Sequence, residues 1–380
     1  MILFVPRLSV VVPVHQGAAL LPKALKALAA SDLPRSAWEL VVVDDASTDA
    51  TSLVAARHAD VVVRLPGARR GPAYARNRGF EASRGNVVVF VDPDVCVAPD
   101  ALRRFDSLFA TDPGADAAFA SLDPDAEVPG TLARFHHLLR HWIHTRDAGD
   151  VETFWAGCGA VRRDALLRAG LFDEWHYTRP EAEDVELGRR LHASGHRIVL
   201  RPEIRAARPC ARTLATLLRD DFARRAVPRA WLLHHERRSG STGMRRPRRD
   251  LACTAAVALA LLAALLAGVL GSAAPLAGGA AALAGVALIN REFYALARAK
   301  HGWGFALMAF LLHLLCFTVD LAAGVAGRVL HAMVGAPPAR VDVAARLGAE
   351  GGGTWPPHPT RPPSSLWTRP VRGAGSVGVR

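Results

Sequence analysis

Short apolar runs alternate with stretches of helical spacing through the first half of the chain. Residues 8–12 read as a strand that ends at Pro13, and residues 20–29 place Leu21, Leu25 and Leu28 on one helical face. A second strand is predicted at 40–43, ending in Asp44-Asp45, with Ser47 or Thr48 available to cap a helix running through Arg57. Residues 61–63 and 87–91 supply two further strands. The uninterrupted Val87-Val88-Val89-Phe90-Val91 implies burial on both faces, as in a parallel sheet. Strands alternating with helices predict βαβ units: an α/β fold with a mostly parallel sheet flanked by helices. Further on, the spacing predicts helices over 100–109, 163–169 (closed by Gly170) and 180–193. It predicts a strand with a tight turn at 154–160 and a short strand at 198–200. Residues 111–150 carry a weaker pattern, with a helical stretch around Leu138, Leu139, Trp142 and Ile143.

A different pattern begins at residue 251. No charged residue lies between Asp250 and Arg291, and a spanning helix needs about 20 apolar residues. Residues 251–270 are the stronger candidate, followed by a turn at Gly271, Ser272 and Pro275 and a second segment rich in Ala and Gly. Residues 303–326 form a third candidate, with His313 and Asp320 on one face. Those two side chains suit either a headgroup-level and bundle-packed position or a role in handling a lipid. Arginines at 237, 238, 245, 246, 248 and 249 put the start of the first span on the cytoplasmic side, and Arg291, Arg298 and Lys300 do the same for the next connection. Three spans would send the tail outside, whereas its arginines favour the inside. The expected organisation is a catalytic domain at 1–235, a basic juxtamembrane linker at 236–250, two or three transmembrane helices in 251–330 and a Pro- and Gly-rich disordered tail at 331–380.

Charge and composition narrow the partners. The formal net charge is +12, but its densest cluster adjoins the uncharged tract, which favours an anionic membrane surface. No aromatic residues interleave with the basic ones, so nucleic acid is not an expected partner. The 5 cysteines are scattered without metal or disulfide spacing, which suits a reducing compartment. Pro6 and Arg7 interrupt the apolar start, so no signal peptide is expected and the N-terminal part should stay in the cytoplasm.

The candidate chemistry is acidic. Asp92-Pro93-Asp94 emerges from the buried strand 87–91, where an open α/β sheet places its ligand crevice. Hard cations prefer carboxylate oxygens, and one held there could bridge nucleotide phosphates. Asp44-Asp45 follows the second strand and Glu183-Asp184 opens a later helix. His137, His141 and His144 share a helix face. They suit a metal pair or a solvated or acceptor-facing side, and no nearby carboxylate completes a ligand set.

Taken in order, these segments resemble the inverting family 2 glycosyltransferases of GT-A fold, in their membrane-anchored bacterial form. The matching text is Ser9 to His15, Glu39 to Asp49, Gly71 to Gly79, Val91 to Asp94, Gly170 to Glu174 and Glu183 to Leu191, within about residues 7–235. The resemblance implies transfer of a sugar from a nucleotide-sugar donor to a hydroxyl acceptor. It implies nucleotide-sugar contacts at Pro13, His15, Asp45, Asn77, Asp92 and Glu183, with Asp45 on the base. It further implies a divalent cation (Mn or Mg) at Asp92 and Asp94, and Asp184 as general base. The membrane helices suggest a lipid or lipid-linked acceptor at the bacterial plasma membrane. Two features depart from the family. Arg208 stands near the slot where a His is common, and an arginine there could pair with the diphosphate directly. The Gln-x-x-Arg-Trp signature of processive relatives is absent around Arg224 to Arg229, which disfavours a polysaccharide synthase. A catalytically inactive nucleotide-sugar-binding relative is the other alternative.

Overall fold

The computed structural model describes residues 6–180, 182–209, 213–219 and 248–334, with 222, 226, 227 and 230 besides. The basic run 236–247, the tail 335–380, Cys210 and the arginines at 224, 225 and 229 lie outside the described residues.

Alternation along the first strands builds the two layers. β1 (Leu8–Val14), α1 (Leu21–Ala29), β2 (Trp38–Asp44), α2 (Thr51–Ala55), β3 (Val61–Arg64), α3 (Pro72–Ala82) and β4 (Val87–Val91) follow one another. Successive strand residues point to opposite faces. Val10, Val12, Leu40, Val42, Val87 and Val89 therefore pack with Leu25 and Leu28 of α1 on one side. Val11, Val41, Val43, Val88 and Phe90 pack with Ala73 and Phe80 of α3 on the other. Both sides are covered, which explains why these strands read as continuous apolar runs.

The second half of the domain contains β5 (Cys96–Val97), α4 (Ala101–Thr111), β6 (Ala117–Leu122), α5 (Thr131–Arg146), β7 (Gly149–Val151) and β8 (Cys158–Arg162). It continues with α6 (Arg163–Ala169), α7 (Glu183–Ala193), β9 (Ile198–Ala207) and α8 (Leu214–Arg219). Among the described residues the sheet order is β3-β2-β1-β4-β8-β6-β9-β5, with β7 on β9. The expected parallel arrangement holds for β1 to β4. Beyond them the sheet is mixed, because β8 runs antiparallel to both β4 and β6. β6 was hidden by its composition: Ala-Ala-Phe-Ala-Ser-Leu has small residues of low strand propensity yet is buried throughout. β9 runs well past the expected 198–200, because Ile204 and Ala206 turn inward while Glu203 and Arg205 face out.

Three helices follow: α9 (Arg248–Leu270), α10 (Ala274–Ile289) and α11 (Arg291–Val334). By length and composition, α9 and residues Arg291–Met333 of α11 could cross a membrane. Leu259, Leu265 and Val269 of α9 expose more than half their surface, as an apolar medium would permit. The 16 residues of α10 span about 24 Å, short of a ~30 Å hydrocarbon core. The expected connection at 291–300 is itself helical. It bends at Gly302, whose φ of 84° is left-handed and open to glycine at little cost.

The last helix, α11, docks on the α/β domain through α5. Phe135, Leu138, Leu139 and Trp142 pack against Phe293, Ala297, Ala306 and Ala309. Phe293 is fully buried, with ring centroids 5.5 Å from Trp142 and 5.3 Å from His313. Lys300 also pairs with Asp125 of the α/β domain. Phe293→Ala would leave a cavity worth ~3–5 kcal/mol at this contact. Its expected effects are a lower thermal midpoint in detergent and faster proteolytic separation of the two parts than in wild type.

Candidate active site

Parallel register gathers the strand ends. Val14 lies opposite Asp44, and β4 pairs with the other edge of β1, so His15, Asp45 and Asp92 all leave the sheet on the same side. Pro13 sits inside β1 opposite Val43. His15 Nδ1–H donates to the Asp45 carbonyl at 2.7 Å, joining two of the residues expected at the nucleotide.

The two acidic residues after β2 differ in their surroundings. Asp44 ties down its own turn, accepting from Ser47 N–H at 2.9 Å and from the Ser52 hydroxyl. Asp45 reaches the loop before α3, where its carboxylate accepts from Arg70 N–H at 2.9 Å and Gly71 N–H at 2.7 Å. Burial raises the Asp45 carboxyl above its ordinary range, against the lowering effect of those N–H groups.

Asn77 is fully buried and serves the scaffold. Its amide donates to the Phe172 carbonyl and to Glu174, while its oxygen accepts from Phe172 N–H at 3.0 Å. It would influence a ligand through the 172–174 loop it holds.

At the centre is Arg76, on the buried face of α3, to which sequence motifs assigned no role. Its guanidinium is 4% exposed and donates at 2.9 Å to both Asp92 and Glu183. Ala73, Arg76, Asn77 and Phe80 follow helical spacing, so polar residues on the buried face of α3 were the available signal. Burial alone would raise the Asp92 carboxyl; the Arg76 and Arg208 guanidiniums outweigh it and hold Asp92 below the usual range.

Asp184 follows Glu183 in the first turn of α7, where the helix macrodipole favours negative charge. It accepts from Val185 N–H at 2.8 Å and Ala156 N–H at 3.3 Å. Gly188 allows that approach, since a Cβ there would sit 2.4 Å from Phe154 N. Burial, then the charge of Glu183, pushes Asp184 up to about 6, opposed by Arg76. The two neighbours thus differ in their surroundings: Glu183 is ion-paired with Arg76, whereas the Asp184 carboxyl is raised above its ordinary range.

The expected cation pair is arranged otherwise. β5 starts just beyond Asp94 and pairs with the end of β9, Cys96 opposite Ala207, which brings Arg208 to the acidic pair. Arg208 Nη2 lies 2.5 Å from Asp92 Oδ2 and Nε lies 3.2 Å from Asp94 Oδ1. Among the described residues no group of three or more His, Cys, Asp or Glu side chains is disposed to hold an ion. The side chains as placed do not fit a divalent cation, because guanidinium already fills the space between the carboxylates. The histidine face of α5 is not a metal pair or a solvated side either. His137 is buried and His141 half-buried, with Nδ1 directed at the carbonyls of Asp123 and Leu122. His144 packs between Phe119 and Trp155.

Comparison with known proteins agrees with this architecture. Residues 9–175 match the family model described as Glycosyl transferase family 2. An uncharacterized glycosyltransferase of Mycobacterium bovis, Mb0553, is 31% identical over 193 residues, covering 50% of this chain and 81% of that protein. The succinoglycan biosynthesis protein ExoO of Rhizobium meliloti is 39% identical over 102 residues, covering 26% of this chain and only 29% of its own. For AglE of Haloferax volcanii, at 32% identity, the shares are 23% and 31%, so the chain spans less than a third of these curated relatives. Among solved structures, the mannosyltransferase PcManGT of Pyrobaculum calidifontis, determined with GDP-Man and Mn2+, superposes with a TM-score of 0.51 at 22% identity. That superposition covers 86% of this chain and 87% of that one, a likeness of fold. Strand order, motif positions and the shared sequence lead to one conclusion: the chain belongs to the family 2 glycosyltransferases.

Proposed function

We propose that the protein is an inverting glycosyltransferase, moving a sugar from a nucleotide-sugar donor to a hydroxyl of a lipid or lipid-linked acceptor at the membrane. The observation that carries this reading is the paired setting of Glu183 and Asp184. One carboxylate is neutralised by Arg76. The other has a proton affinity raised to about 6, suited to a base that works near neutral pH. The nucleotide would lie along the strand ends at Pro13, His15 and Asp45, with the diphosphate toward Asp92 and Arg208. The acceptor hydroxyl gives its proton to Asp184 as its oxygen bonds to the anomeric carbon. The bond from that carbon to the diphosphate breaks on the opposite face, and its electron pair leaves with the diphosphate. Attack opposite the leaving group inverts the carbon.

The exposed apolar surfaces of α9 and α11, and the docking of α11 through α5, support action at a bilayer. The arginines beside α9 favour the cytoplasmic side for the catalytic domain, here taken to lie at the bacterial plasma membrane.

Purified full-length protein incubated with a panel of nucleotide sugars and lipid extract should release the nucleoside diphosphate only when acceptor is supplied. Asp184→Asn keeps the size of the side chain and removes the base. Transfer should fall by about 10²-fold or more, while donor affinity by calorimetry stays within a few-fold. Unchanged turnover in that variant would remove Asp184 from this role.

The pH profile carries a second expectation. Only the ionised carboxylate accepts a proton, so kcat should climb about tenfold per pH unit below the raised pKa and level off above about 6. A profile that stays flat down to about pH 4, the ordinary carboxylate range, would contradict the raised value.

A further inference from the structure

The acidic pair at the end of β4 is already ion-paired within the protein itself. Arg76 and Arg208 link Asp92 to Glu183 and to Asp94, with Asp184 beside Glu183, and a diphosphate would bring further negative charge. Arg76 is enclosed between Asp92 and Glu183. Arg208 lies nearer the surface, 12% exposed, with its guanidinium between Asp92 and Asp94. We propose that Arg208 is the resident cation for the donor diphosphate, so that donor binding and diphosphate departure need no divalent metal. This rests on the glycosyltransferase reading above.

Three observations carry it. First, the position is built. The β5–β9 register fixes the backbone, and His137 holds it from α5: Arg208 N–H donates to His137 Nε2 at 3.2 Å, while His137 Nδ1–H faces the Asp123 carbonyl at 3.3 Å. The Trp155 ring lies 5.9 Å from the guanidinium carbon. Second, the chemistry suits the task. A guanidinium stays charged at any working pH and presents a planar fork that matches phosphate oxygens. When the anomeric carbon–oxygen bond breaks, the electron pair settles on the diphosphate oxygen beside this charge, and the acceptor proton passes to Asp184. Third, a divalent cation held by both Asp92 and Asp94 would compete with the guanidinium that now bonds Asp92 and ion-pairs with Asp94, on an arginine tethered by its own main chain.

The test is nucleotide binding, which needs no acceptor and no turnover. Full-length protein in detergent would be titrated calorimetrically with UDP, GDP, ADP, CDP and dTDP, once with EDTA and once with Mn2+. For the nucleotide that binds, the wild-type Kd should agree within about threefold between the two buffers. Arg208→Ala should weaken binding by about tenfold or more in EDTA. Arg208→His replaces the guanidinium with a group able to ligate a cation beside the Asp pair, and its binding should recover only with Mn2+. His137→Ala loosens the tether, so its binding should improve on adding Mn2+ where wild type does not. Thermal midpoints of the variants identify any that fail to fold, and the histidine variant keeps the test open if the alanine one does. Loss of wild-type binding in EDTA, or unaltered binding by folded Arg208→Ala, overturns the role of Arg208 and leaves the glycosyltransferase reading standing. Failure to bind any nucleoside diphosphate in either buffer overturns that reading itself.

Discussion

A guanidinium enclosed in protein can remain only where carboxylates meet it, and Arg76 sets this condition for the whole catalytic centre. Its charge is almost fully removed from water, so Asp92 at the end of β4 and Glu183 at the start of α7 must both approach it. Removing one partner from a buried ion pair generally costs about 3–5 kcal/mol, because the remaining charge has nothing to answer it. The adjacent α3 and β4 and the distant α7 are thereby bound to one point. Asp184 follows from this arrangement. Burial and the charge of the adjacent Glu183 raise its proton affinity, and Arg76 offsets them only in part.

The same logic extends outward through less buried contacts. Asp92 is held ionised between Arg76 and Arg208, and Arg208 is held by the strand it terminates and by His137 on α5. The opposite side of α5 presents Phe135, Leu138 and Trp142 to α11. One helix thus touches both the main chain of Arg208 and the last apolar helix.

Much of the first half of the fold was legible in the residue pattern, for a physical reason. Strands β1, β2 and β4 are covered on both faces, so burial demands apolar residues at every position and the signal is unbroken. The second half was obscure because its strands meet burial by other means. β6 relies on alanines that fit a crowded interior, and β9 mixes inward Ile204 and Ala206 with outward charges. The segment 291–300 looked like a connection because of its basic residues, yet those side chains sit on a helix that turns only at Gly302.

The amino-acid order by itself determined the family resemblance, the strand-end positions of Asp45, Asp92 and Asp94, and the presence of Asp184 at a helix start. Those features are local: a run of residues, the turn that ends it and the side chain that follows. Which carboxylates are paired and which is left to titrate was decided only by tertiary structure. Charge balance in a buried site depends on distances between segments that the chain brings together from afar. Arg76 reads as an ordinary helical arginine until α7 supplies Glu183. Arg208 reads as a residue after a strand until the pairing of β5 with β9 sets it between two aspartates.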